Sequence, residues 1–198
     1  MRSGGYRRPF VGLSVCGDNF LYEENEEGDF LAAVIDGLGH GQESAVASER
    51  AVEVIRDSLQ MTASAIVLRC HQELKSTRGA AMGLLKVDAK GRGEFCGIGN
   101  VEVQSLAGKP PSVFCLAGIV GHNLRVARPM PVRMEPGDIY CLMSDGISTR
   151  ANLKSCLPGP PELVARRIVE QWGRPHDDAS ALIVGFGPNP LLEETPPS

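Results

Sequence analysis

What most narrows the fold of this chain is the order in which short β-prone segments and amphipathic helical stretches follow one another. "PFVGLSV" and "DFLAAVID" read as strands around a polar turn, "LYEENEEG", the pattern of a hairpin. Two helices are expected next. Residues 42–59 place Ala45, Val52, Ile55 and Leu59 on one face, and "TASAIVLRCHQELKS" repeats the spacing after a break at Met61 and Thr62. The period then changes to that of strands: "AAMGLLKVDA", "GEFCGIGN", "VEVQSLA" and "SVFCLAG", divided by turn sequences such as "DAKGRG" and "AGKPP", predict an antiparallel meander. A buried strand "DIYCLMS", a helix "GPPELVARRIVEQW" begun by prolines and a last strand "ASALIVGF" complete the order. Strands grouped in this way, instead of alternating with helices, favour α+β layers over a doubly wound parallel sheet.

The 198 residues give room for one domain with a substantial core, expected over residues 1–187, with residues 188–198 as a disordered tail. A formal net charge of −4 without any basic run argues against a chain whose business is nucleic-acid phosphate. "MRSGGYRRPF" carries three arginines but no apolar core of a signal peptide, and no window reaches the length of a membrane span, so a cytoplasmic location and no membrane partner are expected. Six cysteines, Cys16, Cys70, Cys96, Cys115, Cys141 and Cys156, stand singly in mostly apolar surroundings and read as buried free thiols.

Acidic residues recur where the apolar strands stop. Asp18 lies in "VCGDNF", Asp36 in "VIDGLG", Asp145 in "LMSDGIS", and Asp177 and Asp178 in "RPHDDASALIV". A single Asp-Gly is ordinary turn chemistry. Two of them after buried-looking strands, with an Asp-Asp pair before another, suggest carboxylates converging on one rim, where their repulsion requires a cation. Oxygen donors without His or Cys partners suit magnesium or manganese better than zinc. A phosphate cradle at "DGLGHG" is the weaker alternative, since its spacing, G-x-G-x-G, lacks both the G-x-G-x-x-G pattern of a dinucleotide fingerprint and the Lys-Ser/Thr of a P-loop.

"VCGDNF", "VIDGLGHG", "TRGAAMGLLKV", "GIGNVEV", "MSDGIS" and "HDDASALIV" follow the order of motifs in the metal-dependent protein serine/threonine phosphatases, the protein phosphatase 2C-like or PPM family. The chain resembles that family's small bacterial branch over nearly its whole length. The resemblance implies an α-β-β-α sandwich of two antiparallel sheets flanked by helices, with one or two Mn2+ or Mg2+ ions at one end. It further implies Asp36, the Gly37 carbonyl, Asp145 and Asp177 as metal ligands, Asp18 as the residue orienting water, and Asp178 in support.

Departures from the family pattern carry expectations of their own. Gly17 stands where larger members have a ligating Glu, which predicts weak occupancy of a second metal site. Leu38 replaces a His that is a candidate proton donor; His40 is a candidate substitute, with a purely structural His as the alternative. Gly99-Asn100 replaces a Gly-Asp, and Arg7 and Arg8 lie too far upstream to be assigned as the phosphate-binding arginine. The implied reaction is hydrolysis of phosphoserine or phosphothreonine by water, without a covalent intermediate. By resemblance to stand-alone members of stressosome signalling, the partners are phosphorylated STAS-domain proteins whose dephosphorylation resets a bacterial stress response. A catalytically inactive phosphatase-like binding protein and a small-molecule phosphatase are the alternatives.

Overall fold

A computed structural model describes residues 1–193 of the chain. Ten strands and three helices follow in the order β1 (Arg2–Arg8), β2 (Asp18–Glu24), β3 (Phe30–Gly37), α1 (Gln42–Arg56), α2 (Ala63–Glu73), β4 (Ala80–Val87), β5 (Arg92–Ile98), β6 (Glu102–Ala107), β7 (Cys115–Leu116), β8 (Met130–Arg133), β9 (Ile139–Met143), α3 (Pro161–Trp172) and β10 (Ala179–Gly185). One sheet runs β1-β10-β9-β6 and the other β2-β3-β4-β5-β7, with β8 also paired to β5. All pairings are antiparallel except the short parallel contact of β5 with β7.

Strand alternation divides the core into layers. Phe30, Ala32 and Val34 of β3 face across the sandwich toward Tyr140 and Leu142 of β9 and Leu182 and Val184 of β10. Their neighbours Leu31, Ala33 and Ile35 face the other way, onto Ala51, Ile55, Ile66 and Cys70 of α1 and α2. On the far side, Val164, Ala165, Ile168 and Val169 of α3 cover Cys141, Ala181 and Ile183. The result is the α-β-β-α sandwich expected from the family resemblance. Because β3 and β10 are covered on both faces, they read in the sequence as unbroken apolar runs.

Three local expectations are corrected. The strand expected at "PFVGLSV" is a loop, and the first strand is the polar, glycine-containing Arg2–Arg8, paired along its full length with β10. Its place there is steric: a Cβ on Gly4 would stand 2.5 Å from the Glu162 backbone nitrogen of α3, and one on Gly5 2.6 Å from the Phe20 ring. The segment expected as a turn, "LYEENEEG", supplies most of β2, and the hairpin turn is confined to Asn25–Asp29. The expected meander is split, since β6 leaves β5 to pair with β9 in the opposite sheet and little of "SVFCLAG" is strand. At the C-terminus, residues 190–192 form a short 3-10 turn and Leu192 is buried; residues 194–198 of the expected tail lie outside the described residues.

All six cysteines are free thiols, four of them buried. Among the described residues no helix is long and apolar enough to cross a membrane. Leu142 is fully buried between the sheets and paired in register with Leu182. Leu142→Ala is expected to lower the unfolding free energy by about 2–5 kcal/mol, read as a fall in denaturant midpoint at unchanged slope.

Candidate metal centre

Antiparallel register brings the first two carboxylates face to face, because Asp18 opens β2 directly opposite Asp36 near the end of β3. In the other sheet β9 and β10 are neighbours; Asp145 lies two residues beyond β9, and Asp177 and Asp178 lead into β10. Hydrogen bonds join the two sheets at this end. The buried Ser144 hydroxyl donates to Asp18 Oδ2 at 2.5 Å and accepts the Ser180 backbone N–H at 3.0 Å. Asp18 is 1% exposed, so its carboxylate is fixed behind the rim, while Asp36, Asp145 and Asp177 are half-buried.

Gly37 allows the backbone of the "DGLGHG" turn to lie against α1, since a Cβ there would collide with the Ser44 carbonyl and come within 2.9 Å of the Gly17 carbonyl. The Leu38 N–H donates to the Gly79 carbonyl at 2.9 Å, fastening the turn to the residue before β4. Across the rim the Arg174 N–H donates to the Gly146 carbonyl at 2.8 Å, holding the turn before Asp177 against the turn that carries Asp145.

Crowding of like charge shapes the protonation of the rim. Burial pushes the Asp36 carboxyl well above the usual carboxylate range, and Asp18, Asp145 and Asp177 add to the rise. Asp18 is raised chiefly by burial, against which the Ser144 hydrogen bond acts, with Asp178 and Asp177 contributing repulsion. Asp177 is raised by burial and then by Asp145. Asp178 accepts the Phe10 N–H at Oδ1, 2.9 Å, while its Oδ2 is buried without a hydrogen-bond partner. An orphaned carboxylate oxygen and several mutually repelling carboxyl groups fit a divalent cation bound through hard oxygen donors. Among the described residues no three His, Cys, Asp or Glu side chains already close into a metal cage. The residues that could hold a cation are Asp36, through its carboxylate and the Gly37 carbonyl, with Asp145 and Asp177.

Gly17 leaves no space for the Glu of larger family members. A Cβ there would collide with the Ser44 hydroxyl and stand 2.7 Å from Asp178 Oδ2. His40 is exposed, its ring tilted against Phe10 at 5.1 Å between centroids; Phe10 also approaches His176 at 6.3 Å. The structure thus brings together Asp18, Asp36, Asp145 and Asp177, keeps Asp178 behind them, and holds His40 at the edge.

Three residues contribute in ways that the sequence did not assign to them, among them Arg7, which lies too far upstream for assignment by motif. Ser144 fixes Asp18; Asn100 donates from Nδ2 to Asp145 Oδ2 at 2.5 Å; and Arg7 donates from Nη1 to the Asp18 carbonyl at 2.5 Å. Ser144 and Asn100 stand inside "MSDGIS" and "GIGNVEV" and were within reach of motif reading. Arg7 was not, because its proximity to Asp18 depends on β1 pairing with β10.

No family model matches the sequence. Over 149 residues, 72% of this chain and 74% of the relative, the sequence is 26% identical to the phosphoserine phosphatase RsbX of Bacillus subtilis (strain 168). A solved structure from work on the bacterial stressosome as a modular system adapted to control secondary messenger signalling is 32% identical, with a TM-score of 0.85 over 92% of this chain and 97% of that one. A crystal structure of RsbX in complex with magnesium is 20% identical, with a TM-score of 0.77 over 91% of this chain and 92% of that one. The chain belongs to the PPM, or protein phosphatase 2C-like, family. Within that family, the chain is similar to RsbX.

Raised carboxyl values mean that the folded chain holds protons the unfolded chain has already released, so metal-free stability falls as pH climbs above about 4. Thermal melts of metal-free protein are expected to show a lower midpoint at about pH 8 than at about pH 5. Manganese should restore more at the higher pH, because it takes the place of those protons. Asp36→Asn should raise the metal-free midpoint at about pH 8 by roughly 2–4 °C and remove most of the manganese increment.

Proposed function

We propose that this chain is a metal-dependent phosphoprotein phosphatase that hydrolyses phosphoserine and phosphothreonine. The observation that carries this reading is the gathering of Asp18, Asp36, Asp145 and Asp177 from the ends of both sheets onto one rim, with protonation raised by burial and mutual repulsion at Asp18, Asp36 and Asp177. Asp36, the Gly37 carbonyl, Asp145 and Asp177 are the ligands of magnesium or manganese, and Asp178 supports them from behind. A divalent cation so held lowers the pKa of water and offsets the charge of the phosphoryl oxygens.

The chain's own groups do the remaining work. Asp18, immobilised by Ser144, orients the attacking water and receives its proton. Asn100 steadies one oxygen of Asp145 and leaves the other free to ligate. His40, exposed three residues beyond Gly37, is the donor of a proton to the departing Ser or Thr oxygen. No side-chain nucleophile is used. Cys16, the one thiol close to Asp18 in sequence, is pushed up to about 12, by burial first and then by Asp18 and Asp178, and is a poor thiolate at neutral pH.

Likeness to RsbX and to a structure from stressosome work supports phosphorylated STAS-domain stressosome proteins as the substrates, with dephosphorylation resetting a bacterial stress response in the cytoplasm. The test is manganese-dependent phosphate release from a phosphoserine or phosphothreonine protein. Asp36→Asn and Asp145→Asn are each expected to lower it on the order of a hundredfold or more with circular dichroism unchanged. An inactive native chain with both manganese and magnesium would return the protein to a binding role. Ser144→Ala should cost roughly tenfold in kcat, as expected when a carboxylate loses the partner that orients it.

A further inference from the structure

Large apolar side chains stand exposed on both sides of the metal rim. Val11 is 59% exposed and Leu38 46%, and Leu13 and Val46 are also open to solvent. Scattered exposed apolar residues are ordinary on a protein surface, whereas several around one functional site call for an occupant. These are set close together by the rim itself. The loop carrying Val11 and Leu13 is tied down by the Phe10 N–H to Asp178 Oδ1 at 2.9 Å and by the Val11 N–H to the Pro175 carbonyl at 3.2 Å. Leu13 Cδ1 lies 3.9 Å from where a Cβ on Gly41 would stand, so it reaches over the start of α1. Leu38 directly follows Gly37.

On the other side of the turn, Val46 and Arg78 share a cleft of about 340 Å³ between the first turns of α1 and the segment before β4. The Arg78 guanidinium lies against Gly39, 2.8 Å from where a Cβ would stand, and pairs with Glu43. Both partners of that pair are exposed, so the pair contributes little and Arg78 is available to an incoming anion. The surface therefore holds, in one band, a cation suited to a phosphoryl group and apolar side chains beside it.

Building on the phosphatase reading, we propose that this band is the docking surface for the phosphorylated segment of a protein substrate. Arg78 meets the phosphoryl group at the edge of the metal rim, and Val11, Leu13, Leu38 and Val46 receive apolar side chains next to the phosphorylated residue. Charge complementarity selects the occupant: a phosphoryl dianion matches Arg78, whose only ion-pair partner among the described residues, Glu43, is exposed. The surface thus selects phosphorylated Ser or Thr with apolar neighbours, and a small phosphate ester, which lacks those neighbours, gains nothing from the apolar side chains.

The experiment compares three substrates with manganese present: p-nitrophenyl phosphate and two ten-residue phosphoserine peptides of equal charge, one with leucine and the other with asparagine on both sides of the phosphoserine. The native chain is expected to favour the leucine peptide about tenfold in kcat/KM, chiefly through KM. In the Val11→Ser/Val46→Gln variant, altered only at exposed positions, that preference should shrink to about twofold, with p-nitrophenyl phosphate turnover changed by less than that. Equal rates on the two peptides, or a variant that slows all three substrates alike, overturns the docking surface and leaves the phosphatase reading standing. Concentration-dependent dimerisation of the native chain that the variant abolishes assigns the band to a second copy and overturns it as well. A native chain that hydrolyses none of the three removes the phosphatase reading and the docking surface together.

Discussion

Repulsion among aspartates forced to one end of a sandwich is the constraint around which this structure is organised. Asp18 and Asp36 face each other because β2 and β3 are antiparallel neighbours, and Asp145 and Asp177 join them because β9 and β10 end at the same rim. In the metal-free chain burial and this mutual repulsion together raise the carboxyls of Asp18, Asp36 and Asp177, so protons take up part of the charge. The layers behind the rim supply the stability against which this strain is held: the core between the sheets, and the helices that cover each outer face. Such an arrangement ties stability and the proposed chemistry to the same groups.

The bond from Ser144 to Asp18 joins the two halves of the rim. It is short, buried and crosses from one sheet to the other, so the position of Asp18 is set by the packing of the sandwich and not by its own hairpin alone. The same dependence explains how the chain does without the glutamate that larger family members carry before this aspartate. The space beside Gly17 is already taken by the Ser44 hydroxyl and by Asp178 Oδ2. Asp178 enters that space from the other sheet and carries the unpartnered oxygen there.

The gathering of acidic groups at one rim was legible in the sequence because carboxylates at the ends of apolar strands are a local feature. Asp36, Asp145 and Asp177 stand in "VIDGLG", "LMSDGIS" and "HDDASALIV", and each lies where an apolar run stops. The helices were legible for a similar reason, since burial of one face imposes a period: Val164, Ala165, Ile168 and Val169 are the buried stripe of α3. β1 was not legible. Its residues carry no apolar alternation, and what qualifies it for its position is the absence of side chains at Gly4 and Gly5, where α3 and Phe20 come close.

The sequence by itself determined the kinds of group at the rim, the family to which the chain belongs and the layered α+β class, because motif chemistry and hydrophobic period are local properties. Only the tertiary structure decided which carboxylates share a boundary, that Ser144 and Asn100 hold two of them, that β6 crosses to the second sheet, and that Arg7 lies beside Asp18. Those facts depend on contacts between segments far apart in the chain. Such contacts are selected by packing two sheets face to face, and no short window of sequence records them.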